Sequence, residues 1–357
     1  MEAKRTPEEA LEKMRGSTIL SIQDFDKMQP IDHGGWPEVD APVKEYDKVY
    51  PERLKEVLGT ELKMARSGEL IREIEAVERK EAENVADTWI SEAHGVKNVT
   101  REDVIRSAEL YLAYRELMAR YEADAITMSS WALIPDGKVK AMPPLAEMEF
   151  AKELIPCCCE NLVDCTVTQM IGTYLSGRPG FAGDILNNWG GLSPIATPPE
   201  NLAIFGHCYG PINPHGGDRV PYIIRDHVVY RGSVSDGWVK RWRPDSQAKA
   251  ARQLERENIN LVGITVRWPA DEVVTIAKFD VFGGTASVYT GRTVDGNSIY
   301  NDFDDNLCRT KIAVETDVPF TDVVAGHQVV FYGDLKEQLV DAAEQLGFEI
   351  LGQAPGK

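Results

Sequence analysis

The strongest constraint on the fold is a change of sequence pattern around residues 177–180. Before it, apolar residues recur at helical spacing over residues 50–122 and 146–176, and a short apolar run at 123–128 reads as a buried strand. After it come short β-rich runs separated by turn residues, at 202–205, 261–267, 273–279, 286–290 and 310–314. Helices that lead into short apolar strands are typical of an α/β layer, and the later runs indicate an antiparallel sheet.

This pattern predicts the α/β fold class with two main parts, which suits a chain of 357 residues. We expect a Rossmann-like α/β domain over residues 49–175. An antiparallel β-rich C-terminal domain with a terminal helix should follow over 176–357. Residues 1–48 are predicted to form an N-terminal helix and then an extended arm, because 17–45 is rich in Pro and Gly and is typical of a loop.

The charge balance excludes some classes of partner. Lys and Arg total 39 and Asp and Glu total 57, which gives a net charge of −18. Such a balance argues against nucleic acid or an anionic membrane surface as a main partner. There is no run of about 20 apolar residues that would span a membrane, and the N-terminus has no apolar signal segment. We therefore expect a cytoplasmic protein whose six cysteines are reduced.

Two carboxylates stand in apolar or small-residue surroundings between residues 157 and 188. Glu160 and Asp184 are 24 residues apart. A carboxylate in such surroundings is costly unless it is paired, hydrogen-bonded or bound to a metal. From the residues alone, a helix cap and a turn aspartate are the better explanation, because a pair of carboxylates at this separation is weak evidence for a site.

Histidines supply a second set of candidates. His207 and His327 each follow a glycine and have apolar neighbours, which is common for hydrogen-bonded core histidines, while His215 and His227 could face solvent. Two carboxylates with an imidazole would suit a divalent ion such as Mn²⁺ or Mg²⁺. The basic, Trp-containing stretch 238–243 either binds an anionic or sugar group or is a solvated loop.

Four stretches together resemble the L-fucose isomerase family, within the fucose/arabinose isomerase superfamily. The first, 69–127, is largely helical and leads into the apolar strand; the second, 159–164, contains CEN and a following Asp. The third, 176–184, reads SGRPGFAGD, and the fourth, 327–334, begins with His and contains YGD. The match covers roughly residues 60–357, and the family's N-terminal domain has no counterpart in the residues before it.

The resemblance implies a metal-dependent sugar isomerase. In the family a Glu, an Asp and a C-terminal His bind Mn²⁺, which transfers to Glu160, Asp184 and His327, with Mg²⁺ or Co²⁺ as possible substitutes. Aldose and ketose would interconvert through an ene-diol, and Glu160 and Asp184 are the candidate proton carriers. We expect substrate contacts from four further residues: His207, Gln169, Asn187 and Trp242. The partners implied are a small carbohydrate and further copies of the chain, with the site near a subunit contact.

Two alternatives stay open at this point. One is an epimerase or lyase that uses the same metal-bound ene-diolate. The other is a non-catalytic sugar-binding or regulatory protein. In the family, the N-terminal domain helps cover the substrate. Within this chain, the candidate to take its place is the arm that contains Asp32, His33 and Trp36.

Overall fold

The fold is taken from a computed structural model, which describes residues 5–23, 46–128, 139–186, 199–227, 254, 256–295, 310–319 and 326–352. The helices of this part of the chain are α1 (Pro7–Arg15), α2 (Tyr46–Leu58), α3 (Ser67–Ala76), α4 (Arg79–Glu92), α5 (Arg101–Tyr121), α6 (Pro144–Lys152), α7 (Val163–Ser176) and α8 (Lys336–Gln345). The strands are β1 (Thr18–Ile22), β2 (Glu61–Ala65), β3 (Val96–Lys97), β4 (Ala125–Met128), β5 (Cys157–Cys159), β6 (Phe181–Ile185), β7 (Leu202–His207), β8 (Tyr222–Asp226), β9 (Val262–Val266), β10 (Val273–Asp280), β11 (Thr285–Val294), β12 (Thr310–Thr316), β13 (His327–Tyr332) and β14 (Glu349–Leu351).

A four-stranded parallel sheet forms the first layer, in the order β2-β1-β4-β5. Strand β1 lies inside this sheet and all five of its residues are buried. The loop predicted for 17–45 is therefore wrong at Thr18–Ile22. This strand is too short for its own pattern to stand out, and its partners β2 and β4 decide its conformation. The rest of the predicted arm, residues 24–45, lies outside the described residues.

Three short strands interrupt the segments that were predicted to be helical. β2 and β3 break the run 50–122, and β5 breaks the run 146–176. A few apolar residues at mixed spacing fit a short strand as well as a helical turn, so periodicity alone does not separate them. The strand predicted at 123–128 is confirmed as β4, whose four residues are all buried.

Six antiparallel strands close into a barrel, in the order β10-β13-β6-β7-β12-β11 and back to β10. The structure thus confirms a mixed α/β chain with a parallel sheet and an antiparallel β-rich part, and it confirms a helix, α8, near the C-terminal end. The sequence reading missed β6 and β13. The boundaries at residues 48 and 175 stay predictions. None of the described helices is long and apolar enough to cross a membrane.

Alternating residues of the barrel strands belong to two apolar clusters. Phe181, Phe205 and Ile312 belong to one cluster, while Ala182 and Phe331 belong to the other, which also contains residues of α7 and α8. Because helices pack outside a closed barrel, we assign the first set to its interior.

Helix α7 packs closely against the outside of the barrel. A Cβ atom at Gly172 would lie 2.2 Å from the ring of Phe331, so glycine is needed where α7 meets β13. The thiol of Cys165 in the same helix lies 3.7 Å from the main-chain oxygen of His327. Helix α7 thus connects the end of the parallel sheet to the strand that carries His327.

The start of helix α5 is fixed by one buried carboxylate. Asp103 accepts hydrogen bonds from the main chain and hydroxyl of Thr100 and from the main chain and amide of Asn260, and it pairs with Arg106. Burial by itself raises the pKa of Asp103, but the hydrogen bonds from Thr100 and Asn260 outweigh it and hold the pKa below its ordinary value.

Replacement of Asp103 by Asn should lower the free energy of unfolding by about 2 kcal/mol near neutral pH, since the ionised carboxylate loses its charge-assisted hydrogen bonds. A carboxylate with a lowered folded pKa stabilises above its ordinary pKa, and this stabilisation is lost as the pH falls through the folded pKa. The difference between wild type and Asp103→Asn should therefore shrink below about pH 4. Urea unfolding of both proteins at several pH values measures this difference in the free energy of unfolding. Asp87→Asn, at an exposed pair with Arg101, is the matched control and should change stability much less. An equal pH dependence in both variants would contradict this account.

Candidate metal centre

Glu160 lies at the carboxyl edge of the parallel sheet, directly after β5. It has φ +69°, and its neighbour Asn161 has φ +61°. Two consecutive non-glycine residues in the left-handed region are unusual, and each costs on the order of 1–3 kcal/mol. Such strain persists only where the surrounding structure holds it, and strained backbone concentrates at functional sites.

The side chain of Asn161 holds this turn. Its amide oxygen accepts a hydrogen bond from the hydroxyl of Ser21, and its amide nitrogen donates to Gln23 Oε1 at 3.0 Å. Its main-chain nitrogen donates to the oxygen of Met128 at 3.0 Å. The turn after β5 is therefore fixed by the ends of β1 and β4. Sequence analysis singled out the CEN motif but did not find this role for Asn161.

The barrel brings three further ionisable residues to the same place. His327, the first residue of β13, is paired directly with Asp184 on β6. His207 is the last residue of β7, the strand on the other side of β6. Because side chains directly opposite each other in an antiparallel pair share a face, this register places Asp184 next to His327.

The distances between these groups suit a divalent cation. His327 Nε2 lies 3.2 Å from Asp184 Oδ1 and 3.6 Å from Glu160 Oε2, and His207 Nε2 lies 4.0 Å from Glu160 Oε1. One possible ligand atom from each of Glu160, His207 and His327 lies within 4.8 Å of the other two. Ligands about 2.1 Å from an octahedral ion are themselves about 3 Å apart when adjacent and about 4.2 Å apart when opposite.

The environment of His207 favours its metal-binding form. The side chains of His207 and His327 are 3% and 6% exposed, while that of Glu160 is 20% exposed. Burial, and then the neighbouring His327 and His227, hold the pKa of His207 well below its usual range. The neutral imidazole is the form that binds a metal. A carboxylate and two imidazoles fit ions such as Mn²⁺ or Co²⁺, for which mixed N and O ligands are common.

The structure brings together the three metal ligands that the resemblance implied, Glu160, Asp184 and His327. The tightest cluster, however, joins Glu160 and His327 to His207, which was expected to contact substrate. Asp184 lies beside this cluster, against His327. Asn187, Trp242, the stretch 238–243 and the residues 32–36 lie outside the described residues.

Gln169, which was expected to contact substrate, uses its amide nitrogen for bonds within the fold. It is buried in α7, and its Nε2 donates to Gly180 O at 3.0 Å and to the hydroxyl oxygen of Tyr209 at 2.8 Å. That hydroxyl oxygen also accepts from the main-chain nitrogen of Ala182 at 3.1 Å. The ring of Tyr209 packs edge-on against His207, with centroids 5.4 Å apart. Gln169 therefore supports the site through Tyr209, which sequence analysis missed although it lies two residues after His207.

The remaining two candidate histidines differ in environment. His227 is buried at the end of β8, close enough to influence the pKa of His207. His215 is 39% exposed and lies 3.2 Å from Glu272. The solvent-facing interpretation thus fits His215 and is wrong for His227.

Comparison with known proteins gives no family for this chain. No protein-family model matches the sequence, and no curated protein matches it significantly. A function for the chain therefore has to be argued from the cluster and from the motifs described above.

Replacement of Tyr209 by Phe should lower the free energy of unfolding by about 1–2 kcal/mol, because Ala182 N–H loses its acceptor and Gln169 loses one of its two. Chemical denaturation checks this. Tyr121→Phe is the control, since the hydroxyl of Tyr121 bonds to Glu69 in a partly exposed position. Equal stability of Tyr209→Phe and wild type would show that the hydroxyl of Tyr209 does not stabilise the contacts with Gln169 and Ala182.

Proposed function

We propose that the chain is a metal-dependent aldose–ketose isomerase-like enzyme, acting on a sugar or sugar derivative through an ene-diol. The observation that carries this proposal is the cluster of Glu160, His207 and His327, with Asp184 beside it, where the carboxyl edge of a parallel sheet meets the rim of a barrel. Carboxyl edges of parallel sheets are frequent ligand-binding positions.

In this proposal Glu160, His207 and His327 hold a divalent cation, with Mn²⁺ as the first candidate and Mg²⁺ or Co²⁺ as alternatives. When bound, the ion would polarise a sugar carbonyl and stabilise negative charge on neighbouring oxygens. The donor set fits because imidazole nitrogens and carboxylate oxygens are ligands that such ions accept together.

We assign proton transfer to Asp184. Its carboxylate lies outside the tight three-residue cluster, 3.2 Å from His327 Nε2, and its side chain is 15% exposed. A carboxylate that is not fully used as a ligand keeps enough proton affinity to take a proton from one carbon of the sugar and return it to the next. Glu160, at the strained turn, would be the fixed ligand.

The proposal also extends to the type of α/β layer, the partners and the location of the chain. The order β2-β1-β4-β5, with helices between parallel strands, favours a Rossmann-like layer. We further propose a carbohydrate as partner, a cytoplasmic location and a homo-oligomer whose subunit contact lies near the cluster.

Replacement of Glu160 by Gln, and of His207 or His327 by Ala, should each weaken Mn²⁺ binding by about 10-fold or more, because each removes one ligand. Isothermal titration calorimetry and elemental mass spectrometry of the Mn²⁺-loaded chain measure this. His215→Ala is the control and should bind Mn²⁺ as wild type does. Wild-type affinity for Mn²⁺ in all three cluster variants would refute the proposed metal centre.

Asp184→Asn should retain Mn²⁺ within about 10-fold but lose proton exchange, since the amide cannot accept the proton. Nuclear magnetic resonance of a panel of aldoses, ketoses and sugar acids in D₂O detects exchange at the carbon next to the carbonyl. Full exchange by Asp184→Asn would refute the role of this residue. A wild-type chain that binds Mn²⁺ and exchanges no proton on any sugar would instead support the non-catalytic alternative.

A further inference from the structure

One edge of strand β9 lies against the barrel. In the part of the chain that the structure describes, β9 pairs along its other edge with β8, which in turn pairs with β3. The edge towards the barrel presents the main-chain nitrogen and oxygen of Ile264 and the main-chain nitrogen of Val266. Both residues are fully buried. Because buried main-chain groups need hydrogen-bond partners, the barrel has to supply them.

One side chain of the barrel supplies two of these three hydrogen bonds. The hydroxyl of Thr310, the first residue of β12, donates to Ile264 O at 2.8 Å and accepts from Val266 N at 3.2 Å. The third partner is the main-chain oxygen of Cys208, which accepts from Ile264 N at 3.0 Å. Thr310 is itself fully buried, so its hydroxyl is shielded from solvent. Thr310 therefore fastens β9 to the barrel.

The same threonine lies beside the metal cluster. Thr310 is paired directly with His207, the last residue of β7. Side chains of directly paired antiparallel residues share a face of the sheet, with Cβ atoms about 5 Å apart. The methyl group of Thr310 lies close to Gly210, where an added Cβ would be 2.9 Å from it. Thr310 thus meets this segment both at His207 and three residues later.

His207 depends on these contacts because its strand ends there. The pairing of β7 with β6 stops one residue earlier, at Gly206. The main chain at His207 is therefore held by its pairing with Thr310 and by the bond from Ile264 N to Cys208 O. Metal–ligand distances have to lie within about 0.2 Å of their ordinary values. A small displacement of this strand end is enough to weaken a bond from the imidazole to a cation.

We propose that Thr310 is a positioning residue for His207. By fastening β9 to the barrel, it holds the end of β7 where His207 Nε2 lies 4.0 Å from Glu160 Oε1. The inference rests on the proposed function, because it assigns Thr310 to the same metal centre. Thr310 is not a ligand in this account, and it acts on the cation only through His207.

The test is isothermal titration calorimetry of Mn²⁺ into the full chain and its variants. Thr310→Val keeps the shape of the side chain and removes the hydroxyl. It should weaken Mn²⁺ binding about 10-fold, which is the order of effect found for residues that orient a metal ligand. Thr310→Ser keeps the hydroxyl and should stay within about 2-fold of wild type. Wild-type affinity for Mn²⁺ in Thr310→Val would overturn the positioning role.

Thr293→Val is the matched control for a general loss of stability. Thr293 on β11 is 3% exposed, and its hydroxyl also connects the barrel to a segment after β9, since it accepts from Glu272 N at 3.0 Å and donates to Pro269 O at 3.1 Å. It is paired with Val314, which lies four residues, or about 13 Å, along β12 from Thr310. Thr293→Val should therefore lose a similar amount of stability and bind Mn²⁺ as wild type does.

Equal weakening of Mn²⁺ binding in Thr310→Val and Thr293→Val would show a general effect of lost stability, and it would overturn the positioning role. If Thr310→Val does not fold, Thr310→Cys and Thr293→Cys give the same comparison, because a thiol is a weaker hydrogen-bonding group than a hydroxyl. Weaker Mn²⁺ binding in Thr310→Cys than in Thr293→Cys is then the expected result, and equal binding in the two contradicts it.

A measurement without metal separates this inference from the proposed function. Nuclear magnetic resonance of the ¹⁵N-labelled, Mn²⁺-free chain observes the imidazole of His207, assigned by its loss in His207→Ala. Its signals should shift in Thr310→Val and stay in place in Thr293→Val. This result in a chain that binds no Mn²⁺ supports the positioning role and refutes the metal-dependent function. Unshifted signals in Thr310→Val overturn the positioning role, and Mn²⁺ binding by the wild type then leaves the metal centre standing.

Discussion

The left-handed turn at Glu160 and Asn161 is the constraint on which the candidate site depends. It costs backbone energy, and it is held because the amide of Asn161 bonds to Ser21 and Gln23 while its main chain bonds to Met128. The ends of β1, β4 and β5 are thereby fixed together. The consequence is that the carboxylate of Glu160 meets the rim of the barrel instead of continuing the line of its own strand.

The barrel supplies the other half of the site through its register. A slip by one residue would turn Asp184 and His327 to opposite faces of the sheet, and the closed arrangement of six strands opposes such a slip. Helix α7 begins three residues after Glu160 and packs through Gly172 against Phe331 on the strand of His327. The packing of α7 and the register of the barrel strands therefore together determine the distances between Glu160, Asp184 and His327.

The sequence predicted those elements whose apolar runs are bounded by turn residues, such as β4 and the strands around 202–205 and 273–279. It missed β1 and β6, because such short strands depend on their neighbours in the sheet more than on their own pattern. Glu160 and Asp184 stood out as carboxylates in apolar surroundings, but only the resemblance joined them and His327 into one candidate site. The closeness of His207 to Glu160 and the support from Tyr209 depend on how distant strands pair and pack, which no single segment encodes.

The most direct test of the central claim is anomalous diffraction from crystals of the chain grown or soaked with Mn²⁺. The account predicts one strong anomalous peak within about 2.5 Å of the carboxylate of Glu160 and of the imidazole nitrogens of His207 and His327. It also predicts Asp184 adjacent to that peak. A peak elsewhere, or none at this position under saturating Mn²⁺, would contradict the metal centre and with it the function that we propose.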